Sequence, residues 1–149
     1  MRLIAHRGNI SGPNKELENT ADYIDQALIN YDAEIDVRLI NGSLFLGHDV
    51  AQYKVEKSWL LDRAENLWIH CKDYQSLSFL TNTPLKTFYH SSEICTAIRN
   101  EKNIWCHDLN ICDNNSVIPL LSKNDLLLLK HLPKVHAVCS DFVSLINEN

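Results

Sequence analysis

The chain lacks an excess of basic charge. Its 149 residues carry fourteen Lys and Arg against nineteen Asp and Glu, a net charge of −5, and no stretch gathers the basic residues together. That excludes the electrostatic footprint by which a protein grips nucleic acid. Long apolar runs are also missing. The longest aliphatic stretch is Leu126 to Leu129, far below the roughly 20 apolar residues of a membrane-spanning helix, so no span is expected. Only three consecutive apolar residues precede His6 and Arg7, against the ~7–15 of a secretory signal, so a cytoplasmic location is expected. The five cysteines (Cys71, Cys95, Cys106, Cys112, Cys139) are odd in number and contain no CxxC. Neither a disulfide framework nor a thiolate zinc site is suggested, and each reads as a small buried hydrophobe in a reducing compartment. Gly and Pro number four each and are dispersed. With no linker and no internal repeat, residues 1–149 read as one domain.

What is present is globular: 45% hydrophobic and 22% charged residues are too apolar a mixture for disorder. Seven β-rich runs recur: LIAHR ending at Arg7, AEIDVRL from Ala33, LFLGHD from Leu44, LWIHCK from Leu67, KTFYH from Lys86, NIWCHD from Asn103 and AVCSDFV from Ala137. Helical spacing is read over Glu18 to Asn30, Lys57 to Arg63, Tyr74 to Leu80, Ser92 to Asn100 and Asp125 to His131. Alternation of this kind predicts an α/β fold with a largely parallel sheet. One break stands out. Ile40, Asn41, Gly42 and Ser43 leave no room for a crossover helix, and Asn-Gly predicts a tight hairpin. An eight-unit (β/α) barrel takes about 250 residues, and at roughly 20 residues per unit this chain holds about seven units. A barrel here is expected to be trimmed or incomplete.

Ionisable residues gather at the carboxyl ends of the expected strands. His6 and Arg7 close the first, Glu34 and Asp36 the second, His48 and Asp49 the third, His70 and Lys72 the fourth. His90, then His107 with Asp108, then Asp141 close the rest. In parallel α/β sheets these ends share one face, where loops assemble an active site. Residues two apart on a strand share a side, so Glu34 and Asp36 point together. As neighbours they repel unless a cation or proton sits between them, and oxygen ligands of this kind suit Mg²⁺ or Ca²⁺. Surface carboxylates on an edge strand are the plainer reading. Leu44, Leu46 and His48 are expected on one face, which makes His48 either a pocket residue or a satisfied core histidine. His70 and Lys72 share a face above Trp68, and a buried Lys requires a carboxylate or a bound phosphate. Cys106, His107 and Asp108 form no triad, because strand neighbours face opposite ways. His90 reads equally as pocket lining or core. His131 and His136 read as structural, and Trp59, Trp68 and Trp105 as core residues.

In order and spacing, IAHRG at Ile4 to Gly8, ENT at Glu18 to Thr20, EIDVRL at Glu34 to Leu39 and LFLGHD ending at Asp49 resemble the glycerophosphodiester phosphodiesterase family. SDF around Asp141 is similar to that family's closing strand. The resemblance is specific over the first fifty residues and only compatible beyond them. It implies a (β/α) barrel of the phosphodiesterase type, trimmed or incomplete, working on a small-molecule or polymeric phosphodiester around a divalent metal. It also implies His6 and His48 as the two catalytic histidines, general acid and base. Arg7 and Lys72 would bind the phosphate, Glu34 and Asp36 the metal, and Glu18 would support both. The family places a third acidic ligand where this chain has His70. Imidazole there keeps Mg²⁺ or Ca²⁺ as the first expectation and admits Mn²⁺ or Zn²⁺. A barrel that keeps its phosphate pocket and has lost turnover is the alternative. The family's covering insertion is absent, since only Ala51 to Ser58 separates the HD strand from the next helix. Exposed strand edges would favour a homo-oligomer.

Overall fold

In the computed structural model, which describes residues 1–146, the expected strands become parts of a single sheet. β1 (Arg2–His6) leads through a long loop to α1 (Ala21–Ala27), then β2 (Asp32–Ile40), β3 (Ser43–Leu46) and β4 (Tyr53–Val55). α2 (Lys57–Leu61), β5 (Leu67–Cys71), α3 (Tyr74–Leu80), β6 (Lys86–Phe88) and β7 (Cys95–Ala97) follow. The chain continues through β8 (Ile104–Cys106), β9 (Ser116–Pro119), a 3₁₀ segment over Asp125–His131, β10 (Ala137–Ser140) and a 3₁₀ turn over Val143–Leu145. The strand order is β4-β3-β2-β1-β10-β9-β8-β7, with β5 on the other side of β2 and β6 beyond it. β1, β2, β5, β6, β8, β9 and β10 run parallel to one another, while β3, β4 and β7 are antiparallel to their neighbours.

The expected (β/α) barrel is corrected here. The molecule is a curled mixed half-barrel of ten strands with few helices. A barrel of that type needs a helix with an apolar stripe on each crossover. This chain supplies such helices only at α1, α2 and α3, of seven, five and seven residues. Residues 92–100, read as helical, instead carry β7, whose Thr96 and Ala97 pair with Trp105 and Ile104 of β8. The Asp125–His131 segment winds as 3₁₀ and buries no side chain fully. β4, β7 and β9 escaped the strand reading because three or four residues carry too little alternation to recognise. A lone antiparallel bridge, Thr87 with Arg99, links β6 to the chain just past β7. The hairpin at Asn41-Gly42 forms as expected: Ile40 pairs with Ser43, and both turn residues have positive φ, 48° and 78°.

One apolar cluster packs the outer face of β2, β3 and β5 against the helices, centred on Ile35, Val37, Leu46, Leu60, Ile69 and Leu80. A second fills the concave side with Ile4, Trp68, Phe88, Trp105, Val117 and Cys139. Alternation puts the next inward residues of β1, β2 and β5 above that second cluster: His6 after Ile4, His70 after Trp68, with Glu34 and Asp36 between them. The apolar floor thus carries a layer of ionisable groups. No helix among the described residues is long and apolar enough to cross a membrane.

Candidate functional site

Glu34, Asp36 and His70 converge on this layer. Asp36 lies directly opposite His70 in the β2–β5 register, and His6 opposite Glu34 in the β1–β2 register. All three of the converging side chains are buried, and each offers a ligand atom within 4.8 Å of the others'. His70 Nδ1 lies 3.3 Å from Asp36 Oδ1 and 3.9 Å from Glu34 Oε1. Glu34 Oε2, Asp36 Oδ1 and His70 Nε2 are buried without a hydrogen-bond partner. Buried polar atoms are normally paired, so orphaned carboxylate oxygens on Glu34 and Asp36 beside an imidazole fit a divalent cation. The electrostatics agree. Burial and the neighbouring Asp36 push the Glu34 carboxyl up from its ordinary value. Asp36 is also pushed up by burial, but His70 and Arg7 facing it hold it well below the carboxylate range.

The other expected residues distribute around this centre. His6 Nδ1 sits 2.8 Å from Asp141 Oδ1, and its Nε2 faces Glu34 Oε2 at 3.9 Å. Burial alone would lower the His6 pKa, but the Asp141 hydrogen bond and the Glu34 charge overcome it, and the net shift is upward. Arg7 continues the β1 register, its N–H donating to Glu34 O at 2.9 Å. Its φ of 54° then turns the chain so that Nε comes within 3.0 Å of Asp36 Oδ2, an ion pair without hydrogen-bond alignment. The next residue must be Gly: at φ 86°, a Cβ on Gly8 would lie 2.9 Å from the Tyr23 ring. Lys72 extends β5, with Nζ 3.8 Å from Asp36 Oδ1, and so finds the carboxylate partner expected of it. Glu18 stays out of the cluster and braces it, accepting from Arg7 Nη1 at 3.3 Å and Asn9 Nδ2 at 3.1 Å.

His48 does not share the face of Leu44 and Leu46 expected for it. Gly47, at φ 143°, breaks the alternation that would have aligned Leu44, Leu46 and His48. The His48 side chain is 38% exposed, with Nδ1 2.6 Å from Asp49 Oδ1. It stands at the rim, where it shares a cavity of about 160 Å³ with Arg7, Lys15, Glu18 and Asn19. Burial lowers its pKa. His90 and His107 extend the site sideways. His90 stacks on His70 with ring centres 4.4 Å apart, and His107 meets His90 edge-on at 4.9 Å. His90 is pulled down to about 4 by burial and by His70.

Three residues were not assigned a role from the sequence. Asn19, at φ 61°, clamps Asp36: its Nδ2 donates to Asp36 Oδ2 and its Oδ1 accepts from the Asp36 N–H, both at 3.0 Å. The signal was present in ENT, since Asn tolerates the left-handed conformation better than other side chains. Asp141 orients His6, and Asn9 in turn donates to Asp141 at 2.7 Å. No protein-family model, curated protein or solved structure matches the chain.

Proposed function

We propose that the chain is a metal-dependent phosphodiester hydrolase of the glycerophosphodiester phosphodiesterase type. The observation that carries this reading is the buried Glu34–Asp36–His70 cluster, with orphaned oxygens and nitrogen, facing Arg7 and Lys72. The ordered HRG, ENT, ExD and HD strings support it, and it does not depend on a closed barrel.

Glu34, Asp36 and His70 would hold a divalent cation, which would supply Lewis-acid charge; Mg²⁺ and Ca²⁺ suit the carboxylates, and Mn²⁺ and Zn²⁺ suit the imidazole. Arg7 offers the fork geometry that phosphate oxygens accept, and Lys72 adds a point charge. The two histidines are tuned apart. His6 is shifted up by Asp141 and Glu34, which suits a proton donor to the leaving alkoxide. His48 is shifted down and stands at the open rim, which suits a base toward the attacking hydroxyl. The substrate is a small-molecule or polymeric phosphodiester, the setting cytoplasmic, and the free strand edges favour a homo-oligomer.

One observation favours a second reading. His48 leans on Asp49 rather than into the cluster, as in a domain that binds phosphodiesters without turning them over. ³¹P NMR of the protein with a panel of glycerophosphodiesters, in Mg²⁺, Ca²⁺, Mn²⁺ or chelator, separates the two. The expected result is metal-dependent product, reduced by roughly 10²–10⁴-fold in His6→Ala and in His48→Ala. Binding without product under every metal would establish the silent domain.

A further inference from the structure

We infer that Cys95 and Cys106 are the two halves of a reversible cross-strand disulfide in the β7–β8 hairpin. The inference stands apart from the phosphodiesterase reading. Cys95 and Cys106 are direct partners in the antiparallel register. His107 N donates to Ile94 O at 2.8 Å, and Ile98 N donates to Asn103 O at 3.2 Å. Those bonds put the hydrogen-bonded pairs at 94/107, 96/105 and 98/103, so 95/106 is a non-hydrogen-bonded pair. In such pairs the Cα atoms come to about 4.5 Å and the side chains lean together, inside the Cα range that a disulfide spans. The two Sγ atoms are already in contact at 2.8 Å, and both thiols are free. The other three thiols are placed differently: Cys71 and Cys139 are buried on β5 and β10, which do not pair, and Cys112 lies between β8 and β9 and donates to Leu109 O.

The site is also reachable. Cys95 is half-buried on an edge strand of three residues, whereas Cys106 is buried beneath it. A small disulfide such as oxidised glutathione supplies the oxidising equivalents. The Cys95 thiolate attacks one glutathione sulfur, and the other leaves as thiolate and takes up a proton. The Cys106 thiolate then attacks Cys95 Sγ and expels the second glutathione. Two protein thiols and one oxidised glutathione thus become one protein disulfide and two reduced glutathiones. The bond would pin the hairpin beside His107, whose ring reaches His70 through His90. In a reducing compartment such a bond is transient and responsive. The hydrogen bond it shares with Cys106 pushes the Cys95 thiol up to about 11, so exchange is best followed in mildly alkaline buffer.

The test treats the full chain with oxidised glutathione, alkylates it in denaturant and maps the peptides by mass spectrometry. The expected product has lost two hydrogens, shields two of its five cysteines from alkylation, and joins the peptides of Cys95 and Cys106. Dithiothreitol should restore all five. Cys95→Ser and Cys106→Ser should each abolish the shielded pair. A stable glutathione adduct on Cys95, a link from Cys106 to Cys112, or five alkylated thiols would overturn the inference.

Discussion

At Asp36 four side chains from three segments meet on one carboxylate. Arg7 and Asn19 reach it from loops, and His70 and Lys72 from β5. The alternation of β2 made the shared direction of Glu34 and Asp36 readable, because a period of two is a property of the extended backbone itself. The partners were less readable. Arg7 and Asn19 both occupy the left-handed region, and no side-chain period announces where such residues aim. Asn19 is the sharper test. Asn19→Ala removes both bonds to Asp36 and leaves a buried N–H and carboxylate oxygen without them, and it costs the left-handed tolerance of Asn. The expected loss is about 1–3 kcal/mol in urea unfolding, with weakened metal affinity as a second readout. A loss no larger than that of an exposed Asn→Ala control would remove Asn19 from the site.

Among the elements, β2 does the most to build the site. Its first half pairs with β1 and β5, which lays His6 and His70 beside its carboxylates; its second half overshoots and folds back as β3. The Asn41-Gly42 turn was legible because only a few residue pairs satisfy two successive positive φ angles. The placement of His48 beyond the returning strand was not, because Gly47 breaks the alternation just before it and Gly47 N–H bonds back to Asp36 O at 3.1 Å. The two glycines make a paired prediction. A Cβ at Gly47 would lie 2.1 Å from Val50 O, whereas one at Gly42 meets nothing within 4 Å. Both substitutions suffer the positive φ, at about 1–3 kcal/mol, and Gly47→Ala adds a backbone collision that displaces His48. Thermal unfolding should therefore fall further for Gly47→Ala than for Gly42→Ala. Equal shifts would mean that the 47–50 turn relaxes freely.

For the whole molecule, the buried ionisable layer sets the pH dependence. Asp141 and Glu18 are held below their ordinary values of 3.8 and 4.5 by hydrogen bonds that outweigh burial. Their contribution is present above those values and is lost as pH falls through the folded ones. His6 is shifted above its ordinary 6.5, so its contribution is present below that and is lost as pH rises through its folded value. Glu34 acts in the same direction as His6. Its raised pKa means that holding the charge in the fold costs stability as pH climbs past 4.5. In chelator, the urea midpoint should fall off below about pH 4.5, as Asp141 and Glu18 take up protons, and above about pH 6.5, as His6 loses its own; inside that window Glu34 and His90, the latter held at about 4, pull in opposite directions. Mn²⁺ or Mg²⁺ should raise it most above that window, where the ligands have shed their protons and the cation offsets their repulsion. A midpoint indifferent to metal across the range would argue against a cation at Glu34, Asp36 and His70.

From the sequence alone one could determine the strands carrying alternating Ile, Val and Leu, the Asn-Gly hairpin, the shared face of Glu34 and Asp36, and the gathering of histidines at strand ends. Each follows from local backbone geometry, which residues express one at a time. The tertiary structure decided the rest. Crossovers that looked helical closed as short strands and 3₁₀ turns, because residues 92–100 found a partner in β8 and residues 125–131 found no deep surface to bury. Register, which no single segment contains, placed Asp36 opposite His70 and Cys95 opposite Cys106. The left-handed turns at Arg7 and Asn19 then aimed two distant residues at one carboxylate.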